Sequence, residues 1–455
     1  MKERILLFLI VIGLTSFIYV FQNYTDWGLG LLICFMMVYF VTASIATKVK
    51  ARHELKNPKE KDESYKPFVS VMIPAHNEET VISSTIARVF EMDYPNYEVI
   101  VIDDRSIDNT ASVIKGLEAS YNGRLKTLIR DKNAFPGKSA VLNDALALAK
   151  GEAILVFDAD AQMDKDFLTN LVYELQPKDV GAVQARKVVK NKDVNLLTKC
   201  QNNEMTIDTS CQVTRDAVKG AVELRGNGEL IKRAALDDIG GWNNYTITDD
   251  LDMSTRLHIK GWDVRFCKDT VVYEEGIMYL MPLYRQRRRW LEGTIRRYLE
   301  YFWDIMTSKK MSLRVRMDTI AYISEFVMPA WFIIELIILL LKIFIKDAPV
   351  NTLMSSVIMG CIIGIGFMLS CRYALRKYDG IGRIDAFTQA VITSAYLLII
   401  WFPLVLFIGT KILFMKKDMK WGKTTHGLVA HEHAIQRAKE KIRQAKEELK
   451  KLLMK

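Results

Sequence analysis

Five long apolar runs, two ahead of a mixed middle section and three behind it, constrain this 455-residue chain more than any other feature. Ile5 to Phe21 and Trp27 to Ala46 are nearly free of charge and match the ~17 to 25 residues that carry a helix across a ~30 Å hydrocarbon layer. Ile320 to Ile345, Thr352 to Leu369 and Ala386 to Phe414 have the same character, with Pro329 and Pro403 placed to kink two of them. Lys2 and Arg4 would also suit a signal peptide, but no small-x-small cleavage site follows the first run. The link between the first two runs lacks basic residues, whereas Lys48, Lys50, Arg52 and Lys56 follow the second. The positive-inside rule then puts everything after residue 47 in the cytosol, with the chain a multi-pass protein of the plasma membrane.

Charge distribution narrows the partners. Lys and Arg number 63 against 53 Asp and Glu, a net +10, and the tail from Lys416 to Lys455 holds 12 basic and 5 acidic residues. The excess therefore sits at one terminus rather than as a stripe on a folded domain, which points to anionic lipid and away from nucleic acid. Five spans would export that basic tail against the rule, so one apolar run is expected to be interfacial or broken and the tail cytosolic. Cys34, Cys200, Cys211, Cys267, Cys361 and Cys371 lack CxxC spacing, which argues against a disulfide framework or a zinc site.

Between Pro67 and Tyr279 short apolar strands alternate with helical patterns. Strands are predicted at Phe68 to Ile73, Glu98 to Ile102, Leu125 to Ile129, Ala153 to Phe157 and Gly181 to Gln184, and helices near Thr80 to Phe90, Thr110 to Ser120 and Lys138 to Lys150. That order predicts an α/β domain with a mostly parallel sheet covered on both faces.

Ligands of such sheets bind at the carboxyl ends of strands. There the chain places His76-Asn77-Glu78, Asp103-Asp104-Arg105 and Asp158-Ala159-Asp160. Asp103 or Asp104 could instead cap the helix at Thr110. Two carboxylates one residue apart suit a hard divalent cation, Mg2+ or Mn2+, that completes its shell with phosphate oxygens and water. Lys138, behind Gly137 at a predicted helix start, suits a phosphate, and Arg225-Gly226-Asn227-Gly228 reads as a glycine-framed turn. Thr248-Asp249-Asp250-Leu251-Asp252 offers a base or helix caps. On a helix Gln286, Arg289 and Trp290 share a face, while Arg287 and Arg288 are predicted to point elsewhere.

The ordered series Asp104, Asp158-Ala159-Asp160, Thr248-Asp249-Asp250 and Gln286-Arg287-Arg288-Arg289-Trp290 resembles the D, DxD, TED-type and QxxRW signature of membrane-embedded family 2 glycosyltransferases, the group of cellulose, hyaluronan and poly-N-acetylglucosamine synthases. The resemblance implies a GT-A-like, Rossmann-like domain inserted between transmembrane helices. In residue ranges, 1–50 would form two N-terminal spans and 51–279 the cytosolic domain. Interfacial helices would follow in 280–318, C-terminal spans in 319–415 and the basic tail in 416–455.

The resemblance also implies that His76 and Asp104 hold uridine, that Lys138 and Asp158 contact the rest of the nucleotide sugar, that Asp160 holds the cation and that Asp250 is the general base. Gln286, Arg289 and Trp290 would bind diphosphate and acceptor, with Gly226, Asn227 and Gly228 as an acceptor loop and Trp331, Glu335 and Trp401 lining a channel. Two departures stand out: Asp249 replaces the usual Glu, and a glycine-rich loop replaces an aromatic finger loop. The function so implied is processive, inverting polymerisation of a UDP-sugar, UDP-glucose ahead of UDP-N-acetylglucosamine, into an exported β-glycan. The alternative is a single transfer from UDP-glucose to diacylglycerol. Donor, growing glycan and bilayer are then the partners, and accessory secretion subunits are left open.

Overall fold

The computed structural model describes residues 2–24, 28–57, 62–121, 123–344 and 350–415. Two helices open the chain, α1 (Lys2–Tyr24) and α2 (Gly28–Lys56). The central domain follows as β1 (Val69–Ala75), α3 (Ile82–Phe90), β2 (Tyr97–Asp103), α4 (Thr110–Glu118), β3 (Leu125–Ile129), α5 (Lys138–Leu146) and β4 (Ala153–Val156). It continues through β5 (Gln162–Met163), α6 (Phe167–Leu175), β6 (Val180–Val189), α7 (Leu196–Ala217), β7 (Glu229–Lys232), α8 (Arg233–Asp238), α9 (Asp249–Lys260) and β8 (Asp263–Glu274). Five further helices complete it: α10 (Leu280–Glu300), α11 (Phe302–Thr307), α12 (Leu313–Phe344), α13 (Val350–Tyr378) and α14 (Arg383–Phe414).

The sheet has the order β3-β2-β1-β4-β7-β6-β8-β5. Pairs β3–β2, β2–β1, β1–β4 and β6–β8 are parallel, while β7 runs antiparallel to both its neighbours. After β1 the chain builds outwards through β2 and β3, then returns to lay β4 on the other side of β1. That reversal opens a crevice at the carboxyl ends of β1 and β4. β1 and β2 are buried at every position, so they read as continuous apolar runs rather than alternating ones. One apolar layer packs Val71, Ile73, Val99, Val101 and Leu155 against α3 and α6. The other packs Met72, Ile100, Ile154 and Val156 against Leu142 of α5 and Met253 and Leu257 of α9.

The predicted strands fall where β1, β2, β3, β4 and β6 form. Three short or polar strands, β5, β7 and β8, complete the sheet without an apolar run to announce them. α7 departs from the amphipathic rule in another way. It starts in a capping box of Asn195 and Thr198, and the side chains it buries include Gln201, Asn202, Asn203, Thr206 and Gln212. It packs through hydrogen bonds rather than an apolar stripe.

Among the described residues, α14 is the one helix long and apolar enough to cross a membrane. On α1, α2, α12 and α13, large apolar side chains such as Phe8, Leu9, Val41, Ile45, Leu340, Leu341 and Ile365 are exposed. The tail from Lys416 onwards and the side chain of Glu335 lie outside the described residues.

Candidate active site

Two residues past the ends of β1 and β2, Asn77 at φ +56° and Arg105 at φ +59° stand in the left-handed region. Such strain persists where surrounding contacts over-determine it. Here the turns interlock: Ile107 N donates to Asn77 Oδ1 at 2.7 Å and Asn77 N to Ser106 Oγ at 2.8 Å. His76 sits between them, its Nδ1 2.6 Å from the Asp104 carbonyl, so Nδ1 carries the proton and donates.

Asp104 is fully buried, and both its oxygens are taken by the Arg105 guanidinium, with Arg130 adding a third bond at 2.7 Å. Its neighbour Asp103 instead keeps a buried Oδ1 without a partner among the described residues. Neither aspartate caps α4; Asp108 accepts from Thr110 N at 3.0 Å.

The end of β4 is tied to the glycine-framed loop that leads into β7. Asp158 N donates to Asn227 Oδ1 at 3.2 Å, and Lys138 Nζ donates both to Asp158 Oδ1 at 2.7 Å and to the Gly226 carbonyl at 2.8 Å. Burial works against the charged form of Lys138, yet the carboxylates of Asp158, Asp249 and Glu229 raise its pKa well above the ordinary value. Gly226 and Gly228 take φ +77° and +68°, as the turn reading of the sequence requires. A Cβ placed on Gly226 would lie 3.1 Å from Asp250 Oδ2 and 3.6 Å from Lys138 Nζ. The loop, the lysine and Asp250 therefore meet at one point.

Asp250 stands in the first turn of α9. Burial, followed by the like charge of Asp249, pushes its carboxyl up to about 6. Asp252, by contrast, is consumed by structure, paired with Arg256 at 2.7 Å and with Tyr301 at 2.9 Å. Arg289 faces this cluster from α10; burial lowers its pKa, and Asp249, Asp250 and Asp158 oppose that shift. Among the described residues it makes no hydrogen bond or ion pair.

Asp160 is half-buried, its Oδ2 3.5 Å from Glu275 N. No three His, Cys, Asp or Glu side chains among the described residues are grouped closely enough to hold a metal by themselves. The donor set still fits Mg2+ or Mn2+. Asp160 offers a hard oxygen next to a site rich in anion-binding groups, and such cations take one or two carboxylates and complete their shell from phosphates and water.

Three contributors escaped sequence reading. Glu229, on β7, is wholly buried with Oε2 accepting from Gly226 N at 3.2 Å and Oε1 without a partner among the described residues. Burial, together with Asp250 and Asp249, pushes it up to about 8 against the pull of Lys138. Lys187 on β6 pairs with Glu274 at 2.5 Å and faces Asp158 and Asp250. Arg287, predicted to point away, is instead almost fully buried beneath the site. Its guanidinium lies 4.2 Å from the Trp290 ring centroid, donates to Gln286 Oε1 at 2.5 Å and pairs with Glu204 on α7 at 2.7 Å. The helical wheel separates Arg287 from Gln286 by about 100°, but a long side chain bends back across that angle.

Two of the channel candidates have described side chains. Trp331 is buried, edge-on to Phe17 at 5.7 Å, as a packing residue between α12 and α1. Trp401 donates through Nε1 to Glu204 at 3.0 Å.

This geometry has clear relatives. The family described as "Glycosyltransferase like family 2" matches residues 67–293. The chain is 36% identical over 374 residues to a beta-monoglucosyldiacylglycerol synthase of Nostoc sp., covering 79% of this chain and 76% of that protein. The enzyme of the same name from Synechocystis sp. is 34% identical over 382 residues, with 81% and 77% covered. A poly-beta-1,6-N-acetyl-D-glucosamine synthase of Staphylococcus epidermidis is 28% identical over 289 residues, with 62% and 68% covered. Among solved structures, the mannosyltransferase PcManGT from Pyrobaculum calidifontis, in complex with GDP-Man and Mn2+, shares the fold. It has a TM-score of 0.52 at 21% identity, over 85% of this chain and all of that one. The chain belongs to the family 2 glycosyltransferases, with a GT-A-like α/β domain, and is a hexosyltransferase that uses a nucleotide-sugar donor.

Proposed function

We propose that this enzyme transfers glucose from UDP-glucose, with inversion, to the free hydroxyl of a diacylglycerol-like lipid, giving a β-glucoside. The observation that carries the reading is the similarity over three quarters of their length to two β-monoglucosyldiacylglycerol synthases. The polymer reading drawn from the motif series gives way, because the poly-N-acetylglucosamine synthases align over less of the chain at lower identity.

In this reading the interlocked turns around His76 and the Asp103-Asp104 pair receive the nucleoside, and Lys138 and Arg289 the diphosphate. As the glycosidic bond breaks, negative charge builds on the departing diphosphate. Preorganised cations in a dry site stabilise that charge without reorganising, usually the largest single catalytic effect. A divalent cation held by Asp160 would neutralise further charge on the same oxygens. Asp250 takes the proton from the lipid hydroxyl as it attacks the anomeric carbon from the face opposite the leaving group. Its raised pKa leaves it ionised at neutral pH yet basic enough to accept. One displacement inverts the centre, so an α-linked donor yields a β-linked product. Gln286 and Trp290 would border the acceptor. The helices on either side of the catalytic domain, with their exposed apolar side chains, would hold it at the membrane that supplies the lipid.

The test is to incubate purified enzyme with radiolabelled UDP-glucose, Mn2+ and diacylglycerol-containing vesicles. Label in a chloroform-soluble glycolipid of one sugar supports the reading. Label in water-soluble material of high molecular weight restores polymer synthesis and overturns it.

A further inference from the structure

Helix α14 is 32 residues long and contains a stretch with a mean hydropathy of 2.4, and by those measures it would cross a bilayer. Its contacts describe another use. At its start, the turn from α13 is bound to the catalytic domain: Arg186 of β6 donates to Asp379 Oδ1 at 2.6 Å and Thr206 of α7 to Asp379 Oδ2 at 2.7 Å. Farther along, Asn203 of α7 donates to Thr393 Oγ1 at 2.9 Å, and Trp401 donates to Glu204. At its end Lys411 pairs with Glu292 of α10 at 2.5 Å. Ile400, Leu404, Ile408 and Ile412 pack beside Leu291 and Leu299 of α10. That helix is itself bolted to the domain by Arg297, at 2.8 Å from Glu223.

Arg383 and Lys411 are separated by about 42 Å of helix at 1.5 Å per residue. A spanning helix would carry its far end across ~30 Å of hydrocarbon, away from the domain that holds its near end. Here the turn ahead of the helix and its middle touch the catalytic domain, and its far end is paired with α10, which is tied to the same domain. Between its ends at Ile384 and Phe414, the opposite face of α14 carries Val391, Leu398 and Leu406, all exposed. Arg376, Lys377 and Arg383 are exposed around the preceding turn. An apolar face flanked by basic residues fits the boundary between acyl chains and anionic headgroups.

We infer that α14 does not cross the membrane but lies in the leaflet facing the catalytic domain, as a roof whose outer face is covered by lipid. The inference is independent of which acceptor the enzyme uses. It also agrees with the sequence-based expectation that one of the apolar runs is interfacial rather than spanning.

The experiment uses the full chain in sealed membrane vesicles of both orientations. Ile384→Cys, Leu398→Cys and Met415→Cys variants are reacted with a membrane-impermeant maleimide. Labelled peptides are then identified by mass spectrometry, so native cysteines do not interfere, and retained transferase activity shows that each variant folds. The expected result is labelling of positions 384 and 415 from the same side, that of the catalytic domain, with 398 at least ~10-fold less reactive from either side because it lies in lipid. Labelling of 384 and 415 from opposite sides overturns the inference. Ready aqueous labelling of 398 overturns it as well. So does an oxidative disulfide joining two copies of the Leu398→Cys chain through position 398, which would assign the face to a second copy.

Discussion

Glu204 on α7 accepts a 2.7 Å hydrogen bond from Arg287 on α10, and the same carboxylate holds Tyr396 and Trp401 of α14. Because Arg287 in turn supports Trp290 and Gln286, the proposed acceptor side of the site would be set by a carboxylate that never enters it. Glu204→Gln keeps the shape and removes the charge. Stripping one partner from a buried ion pair costs about 3 to 5 kcal/mol, and the partial exposure of Glu204 puts the loss at the low end. The expected kinetic result is an acceptor KM raised ~10-fold or more with a nearly unchanged donor KM. Separate titrations of lipid and UDP-sugar check this, and equal changes in both would sink the assignment.

In the proposed mechanism the raised carboxyl of Asp250 sets the pH profile. A base must be ionised to act, so kcat should rise with pH up to about 6 and level off above it. Asp249→Asn removes the adjacent negative charge and should move the inflection to lower pH. Asp250→Asn should lower kcat ~10²- to 10⁴-fold at every pH. Initial rates between pH 5 and 9 test all three.

Glu229 couples proton uptake to folding. Its carboxyl titrates near 4.5 in the unfolded chain and at about 8 when folded, so the folded protein holds a proton that the unfolded chain has released throughout that window. Stability from this group is therefore greatest below pH 4.5, falls as pH rises towards 8, and is level beyond. Glu229→Gln should flatten that slope and raise the thermal midpoint at pH 8 by at least ~2 to 4 °C. Calorimetry of both proteins at several pH values decides it; parallel curves would show that Glu229 is ionised in the fold.

Chelation addresses Asp160. EDTA should abolish turnover, and Mn2+ or Mg2+ should restore it. Asp160→Asn should raise the metal concentration giving half-maximal rate by at least ~10-fold. Turnover indifferent to EDTA would remove the cation from the mechanism.

Much of the catalytic half was legible because its strands are short apolar runs that end in polar triplets, as Ala153-Ile154-Leu155-Val156 ends before Asp158-Ala159-Asp160. β8 was not, since Asp263, Arg265, Lys268 and Asp269 break any apolar run. α7 stayed hidden for a related reason: its interior contacts are amides, hydroxyls and carboxylates, which in a sequence look like a solvated face. With α7 unread, Glu204 had no address, and Arg287 seemed to point at nothing. The adjacent pair Asp103-Asp104 shows a finer limit. Which of two adjacent aspartates is neutralised depends on Arg130, 26 residues away in the chain and brought close only when β3 pairs with β2.

Gly226 leaves evolution little room. Any side chain there meets a backbone angle it rarely adopts and an oxygen of Asp250 about 3 Å away, so the position is closed to drift. On the proposed assignment, relatives that accept other alcohols would have to acquire that preference from the Gln286 and Trp290 side of the site. An engineer who wishes to broaden the range of acceptors should build libraries there and leave this corner untouched.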